Sequence, residues 1–262
     1  MKTPLVMTAT IDPKGMANLS VNDVKEREGQ YLETFKFYLE LPCIERIVFV
    51  ENSGWELDRF KEISSSLPET EVEFISLDCN DYPREYGKSY GEMLILDHVV
   101  DESRLVKEAG EFVKVTGRFP ILNIDALLDE MSRRRPWDLY CDNKDHKVYD
   151  WLRLGWNGHA CDTRFFGVTV EFYRRHFYGH YVELDDSRDL LIEGFFFRVA
   201  KVESESGRSR VVRRFRTEPE YSGKGGHVQI SLIGVNDNSG WVATLKRRIR
   251  QVGRWVVPWF WF

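Results

Sequence analysis

Residues 46–54 read RIVFVENSG, a run of β-branched and aromatic residues that stops at a polar turn. An apolar run without polar alternation is the mark of a strand buried on both faces, the condition of a parallel sheet covered by helices. Glu51-Asn52-Ser53-Gly54 closes the run. Upstream, Pro4 to Thr10 (PLVMTAT) reads as a first strand and meets the turn cluster Asp12-Pro13-Lys14-Gly15. Val24 to Leu41 then sets Tyr31, Thr34, Phe35, Tyr38 and Leu39 on one side at helical spacing, and Pro42 ends it. Downstream, helical periodicity runs to Leu67, Val72 to Leu77 (VEFISL) is a third strand, and Asp78 to Ser89 is polar and turn-rich. Tyr90 to Val106 is again helical, and Phe112 to Val115 is a fourth strand. This alternation predicts an α/β fold with a Rossmann-like, mostly parallel sheet flanked by helices. Beyond Pro136 the pattern loosens. Asp138 to Cys141 and Cys161 to Thr169 read as strands, Val170 to Phe177 and Arg188 to Val199 as helices, and Lys201 to Arg210 as a polar loop.

The chain of 262 residues is 42% hydrophobic and 30% charged, which suits a folded globular protein rather than a disordered one. No run of about 18 apolar residues is present to span a bilayer, and Met1 to Met16 lacks the regions of a signal peptide. Cys43, Cys79, Cys141 and Cys161 are scattered without C-x-x-C or zinc-like spacing, which fits a reducing cytoplasm and no bound metal. The net charge of −5 is unevenly spread. Trp241 to Phe262 holds Lys246, Arg247, Arg248, Arg250 and Arg254 and no acid, which leaves residues 1–240 at −10. Such an acidic body is unsuited to binding nucleic acid. The chain thus divides into a body, 1–240, and a basic aromatic tail, 241–262.

In an open parallel sheet, ligands bind outside the carboxyl ends of the strands. The candidates there are Thr8 and Thr10 after the first strand, Glu51, Asn52 and Ser53 after the second, and Thr116, Gly117 and Arg118 after the fourth. Lys114 and Arg118 place two cations about a flexible turn, where an arginine fork can clamp a diphosphate; a solvated strand end is the alternative. Tyr86 to Glu92 brings Lys88, Tyr90, Gly91 and Glu92 to the start of a helix, a composition suited to holding phosphate on backbone N–H groups. A plain capping loop explains it as well. Walker A and G-x-G-x-x-G motifs are absent, which disfavours nicotinamide and flavin chemistry.

The segments GKSYGEMLIL, FVKVTGRFPILNI, CDTRFFGVTVEFY and EPEYSGKGG, in this order between Leu5 and Gly226, resemble a family of bacterial surface-polysaccharide glycosyltransferases. Members look like GT-A variants serving capsule or lipopolysaccharide O-antigen assembly. The resemblance implies a nucleotide-sugar donor, a lipid-linked saccharide acceptor and a donor pocket at the N-terminal strand ends. GT-A enzymes typically hold a divalent metal through a D-x-D triplet, and this chain has none. The Thr116-Gly117-Arg118 turn holds a comparable place in the strand order, so Arg118 and Lys114 are expected to supply the charge a metal otherwise gives, with no cofactor. Asp78-Cys79-Asn80-Asp81 and Asp142-Asn143-Lys144-Asp145 remain oxygen-rich clusters where Mg or Mn would sit, or simple turns.

Inverting glycosyl transfer needs a carboxylate base. Glu193 stands in the apolar helix LLIEGFFF, where an acid is costly without a task, and Asp162 precedes Arg164, either as a base or as that arginine's ion-pair partner. Ser222, Gly223 and Lys224 form a flexible cationic loop that reads as a lid or as a hairpin turn. A nucleotidyltransferase or a non-catalytic scaffold at the membrane surface are the other readings of the same pattern.

The tail WVATLKRRIRQVGRWVVPWFWF adds Trp241, Trp255, Trp259 and Trp261 to Lys246, Arg247, Arg250 and Arg254. In helical register Trp241, Leu245, Ile249, Val252 and Val256 share a side. This pattern predicts a segment resting on the anionic inner face of the plasma membrane, the protein being cytoplasmic and peripheral. The alternative is that the aromatics pack onto the protein's own body or into a dimer interface, with the cations docking onto the acidic body.

Overall fold

The computed structural model describes residues 3–14, 21, 23–67, 69–146, 151–152, 158–222 and 241–256, the last segment with side chains from 249 onward. Four parallel strands form its centre: β1 (Leu5–Ala9), β2 (Arg46–Glu51), β3 (Glu71–Ser76) and β4 (Glu111–Thr116). Between them run α1 (Val24–Leu39), α2 (Asp58–Ser66), α3 (Gly87–Glu102) and α4 (Arg104–Ala109). The sheet continues past β4 through β5 (Leu139–Tyr140), β8 (Phe165–Thr169) and β9 (Val211–Val212), giving the order β3-β2-β1-β4-β8-β5-β9. Strand β8 is antiparallel to both β4 and β5. A separate antiparallel pair joins β6 (Asn143–Asp145) to β7 (His159–Cys161). Three further helices are α5 (Ile124–Arg133), α6 (Val170–His176) and α7 (Ile192–Ser206), and α8 (Trp241–Val256) is the tail. The α/β architecture with a mostly parallel sheet is the one expected.

Alternation along the strands builds two cores. Leu5, Met7, Ile47, Phe49, Val113 and Val115 face α1, α2 and α5, whereas Val6, Val48, Val50 and Phe112 face α3, α6 and α7. With both faces covered, RIVFV has no solvent side and no polar alternation. Helix starts follow local chemistry. Asp23 accepts from the Glu26 amide at α1, Ser103 from Val106 at α4, and Thr169 from Phe172 at α6.

Several boundaries differ from the sequence reading. The predicted 90–106 helix is two helices broken at Ser103, which is extended (ψ 121°) and caps the second. The predicted strand 161–169 is β7 and β8 separated by the turn at Asp162–Arg164. Helix α7 starts later and runs longer than expected, absorbing Lys201 to Ser206, until Gly207 at φ +67° stops it. Helix α5, to which the reading assigned no element, buries Ile124, Leu127, Leu128 and Met131 at i, i+3, i+4 and i+7.

Candidate functional site

One cavity of about 430 Å³ opens at the carboxyl ends of β1 and β4, walled by the first turns of α3, the β7–β8 turn and the start of α7. Of the residues expected at the site, Thr8, Thr10, Lys88, Gly91, Glu92, Thr116, Arg118, Asp162, Arg164 and Glu193 line it. They come from segments as far apart as β1 and α7, brought together at the edge where the parallel strands β1 and β4 end.

Arg118 is set by the turn after β4. Gly117 donates its amide to the Thr8 carbonyl at 3.1 Å, and a Cβ there would sit 2.7 Å from that oxygen and 3.0 Å from the Tyr31 ring. Only glycine lets the turn lie so close to β1. The Arg118 side chain is 8% exposed, its guanidinium is 5.1 Å from the Phe119 ring centroid, and Nη1 has no hydrogen-bond partner among the described residues. Burial lowers its pKa, Tyr31 opposes this, and Arg27 adds to the lowering. A buried guanidinium nitrogen left without a partner is costly, and this side chain lines the cavity.

Arg27, not singled out in the sequence, and Tyr31, read there only as part of the helix's packed side, form the adjoining wall. Arg27 donates through Nε to the carbonyls of Thr10 (3.0 Å) and Ile11 (3.1 Å), and through Nη1 to Val21 (3.3 Å). These bonds fix the loop after β1. The sequence signal was present: Arg27, Tyr31 and Thr34 lie on the buried side of α1 at helical spacing. Thr10 donates its hydroxyl to Asn52 Oδ1 at 2.7 Å.

Other expected residues lie outside the lining. Glu51 is fully buried and accepts from the amides of Ile11, Ser53 and Trp55 at 2.9–3.0 Å, while Ser53 Oγ accepts from the Asp12 amide at 3.0 Å. Glu51, Asn52 and Ser53 tie the strand-end loops together. Lys114, expected to face a diphosphate, is fully buried beneath the floor. Its Nζ pairs with Glu92 and donates to Thr163 O at 2.8 Å and Thr116 Oγ1 at 3.3 Å. Tyr90 instead packs against Tyr86, Tyr82 and Tyr181, with ring centroids 4.7–5.2 Å away.

The start of α3 also corrects the sequence reading. The Lys88 and Ser89 amides donate to the Asp186 carboxylate at 2.9 and 3.4 Å, so a protein carboxylate holds the position assigned to a phosphate. A Cβ on Gly87 would lie 2.2 Å from Asp186 Oδ2. Gly87 to Gly91 also fits the G-x-S-x-G spacing of a hydrolase elbow. It follows a 3-10 turn at Arg84–Tyr86 rather than a strand, and no histidine among the described residues lines the cavity. His176 and His180 are spaced i, i+4, but Gly179 at φ +79° lies between them and they face different acids, Glu203 and Glu183.

The two carboxylates considered as bases differ in their surroundings. Asp162 is held by Arg164 in a bidentate pair, Nε at 2.8 Å and Nη2 at 2.5 Å, and the guanidinium lies 3.8 Å from the Tyr221 ring centroid. Burial would raise the Asp162 pKa, but Arg164 outweighs it and holds the carboxyl well below the usual range. Asp162 is therefore a poor proton acceptor. Glu193, in the first turn of α7, has its pKa raised by burial, with Glu92 and Asp186 adding to the rise and Lys88 opposing it. Cys161 also lines the cavity, its thiol pushed up by burial.

Ser222 donates its amide to Pro120 O at 3.0 Å; Gly223 and Lys224, the rest of the expected lid, lie outside the described residues. Trp259 and Trp261 do too, as do the side chains of Trp241, Lys246 and Arg247. Arg250 and Arg254, expected to face lipid, bind the protein: Arg250 Nε meets Glu218 at 2.9 Å, and Arg254 forks onto Asp142 at 2.9 and 2.8 Å. Asp142 is thereby engaged, and Asp78 pairs with Lys14 at 2.7 Å. Among the described residues no three His, Cys, Asp or Glu side chains group in metal-holding geometry, and no helix is long and apolar enough to cross a membrane.

No family model matches the chain, and no curated protein matches it. Solved structures of similar chain trace include glycosyltransferases and nucleotidyltransferases. Mouse xyloside xylosyltransferase 1 is 12% identical, with a TM-score of 0.44 over 78% of this chain and 83% of that one. The inositol-1-phosphate CTP transferase of T. maritima is 12% identical, with a TM-score of 0.46 over 76% and 81%. A protein described as a glucose-1-phosphate thymidylyltransferase from Bacillus anthracis is 11% identical, with a TM-score of 0.48 over 94% and 95%.

Proposed function

We infer that the chain is a glycosyltransferase that moves a sugar from a nucleotide-sugar donor onto a saccharide hydroxyl. The carrying observation is that one cavity is lined both by a buried guanidinium, Arg118, whose Nη1 has no hydrogen-bond partner among the described residues, and by a carboxyl of raised pKa, Glu193. Arg118 meets the donor's phosphates, with Lys88 on the opposite wall. The acceptor oxygen attacks the anomeric carbon as the bond to the nucleotide's phosphate oxygen breaks. Glu193 takes the hydroxyl proton, and the cations stabilise the charge on the departing nucleotide. These side chains provide the positive charge without calling on a metal.

Glu193 favours this reading over nucleotidyl transfer. A sugar phosphate, the nucleophile of a nucleotidyltransferase, is already ionised near neutral pH and needs no base, whereas a sugar hydroxyl does. The resemblance of four segments to bacterial surface-polysaccharide glycosyltransferases supports a lipid-linked saccharide as acceptor. The test is product analysis after incubation with UDP-, GDP-, dTDP- and CMP-sugars and a polyprenyl-linked saccharide, and separately with nucleoside triphosphates and sugar phosphates. Release of the donor's nucleotide with extension of the saccharide is expected. Pyrophosphate release from a triphosphate would assign the cavity to nucleotidyl transfer.

A further inference from the structure

Helix α8 lies on the body with its polarity reversed. A surface helix ordinarily turns its apolar stripe inward and its charges to water. Here Arg250, Gln251 and Arg254 face the protein. Gln251 Nε2 donates to Arg216 O at 2.6 Å, its Oε1 accepts from the Glu218 amide at 3.1 Å, and Arg254 Nη1 donates to Phe215 O at 2.9 Å besides gripping Asp142. On the opposite side of the helix Ile249, Val252 and Val256 are 60%, 60% and 67% exposed, and at the rim Trp255, 61% exposed, has the Arg216 guanidinium 5.4 Å from its ring centroid. At about 100° per residue, the docked and the exposed triplets 250/251/254 and 249/252/256 point in opposite directions.

We propose that this outward stripe is a docking surface for an anionic lipid bilayer, with the Arg254–Asp142 and Arg250–Glu218 pairs fixing the helix in the orientation that presents it. Charge selects the occupant. Residues 241–262 contain no acid, and with Arg250 and Arg254 engaged internally, helical register at about 100° per residue sets Lys246 and Arg248 at the two edges of the outward stripe, while Arg247 falls on the docked side. Tryptophan at the rim and the run Trp259-Phe260-Trp261-Phe262 after the helix are the residue types of a headgroup boundary. A second copy of the chain fits less well. The positive charge of residues 241–262, which contain no acid, would face itself.

The placement bears on the cavity. Asp142, which holds Arg254, accepts a backbone bond at 2.9 Å from Asp162, a residue of the cavity lining. The helix proposed to meet the bilayer is thereby linked, through Asp142, to the turn that lines the cavity. The surface itself stands independently of the transfer chemistry.

The test is co-sedimentation of the full chain with phosphatidylcholine vesicles and with vesicles containing about 30% phosphatidylglycerol, comparing wild type with Ile249→Ser/Val252→Ser/Val256→Ser. Wild type should bind the anionic vesicles and not the neutral ones, and the variant should bind about tenfold more weakly or worse with an unchanged melting midpoint. Absent wild-type binding, equal binding by the variant, or dimers in sedimentation velocity that the same three substitutions dissolve would each overturn the proposal. Sugar transfer to a soluble acceptor is scored in parallel, so loss of vesicle binding with transfer retained separates the two assignments.

Discussion

Replacing Lys114 with methionine separates scaffold from ligand site. Its ammonium has no exposure, pairs with Glu92 and bonds the Thr163 carbonyl and the Thr116 hydroxyl, so it joins β4 to α3 and to the β7–β8 turn under the cavity. Removing one member of a buried ion pair costs about 3–5 kcal/mol, mostly because the other charge is stranded. Glu92 keeps 25% of its side-chain surface in water, which places the cost near the low end, about 3 kcal/mol. For a chain of this size each kcal/mol moves the melting midpoint by roughly 2–4 °C, so Lys114→Met should melt roughly 6–12 °C lower in calorimetry. Adding Glu92→Leu removes the stranded carboxylate, and the double variant should recover at least half of the loss. A Lys114→Met protein that melts like wild type but no longer binds nucleotide would refute this assignment and return Lys114 to the phosphate site.

Other substitutions read different parts of the account. Glu193→Gln should lower kcat about 10²–10⁴-fold while leaving donor affinity within a factor of two or so. Because burial raises the Glu193 pKa and the base works deprotonated, the acid limb of wild-type kcat/KM should fall above the ordinary glutamate value of 4.5 and be absent in the glutamine variant. Glu130 should behave oppositely, as a stability group. Burial would raise its pKa, but bonds from Tyr140 Oη and the Arg216 and Thr217 amides outweigh that and hold it below 4.5. Its contribution is therefore full above the unfolded value and lost as pH falls through the folded one, so Glu130→Gln should destabilise by about 1–3 kcal/mol at pH 7 and by less in acid, as followed by urea unfolding from pH 7 to 3.

The parallel sheet was legible because β1, β2 and β4 are buried on both faces, which leaves uninterrupted apolar runs in the sequence. The cavity edge was legible for a related reason, since ligand groups gather where such strands end, and Thr8, Thr10, Thr116 and Arg118 are the polar residues there. Partners across the fold were not. Lys114 reads as a strand-end cation until α3 sets Glu92 above it, and the α3 amides read as a phosphate cradle until Asp186, nearly a hundred residues later, fills them. Periodicity placed Ile249, Val252 and Val256 on one stripe of the tail but not its direction, which depends on Asp142 and Glu218 waiting on the body. Helix α5 has a clear apolar stripe but no side-chain cap, and three arginines and Pro136 crowd its end.

The most direct measurement is calorimetric titration of wild type and Arg118→Ala with UDP-, GDP-, dTDP- and CMP-sugars. Wild type should bind one nucleotide class, and Arg118→Ala should lose about 1.5–3 kcal/mol of that affinity, roughly 10- to 150-fold. Its melting temperature should not fall, because the variant removes a buried charge that Nη1 leaves unpartnered. Equal affinity in the two proteins, or no binding of any nucleotide-sugar by wild type, would contradict the account.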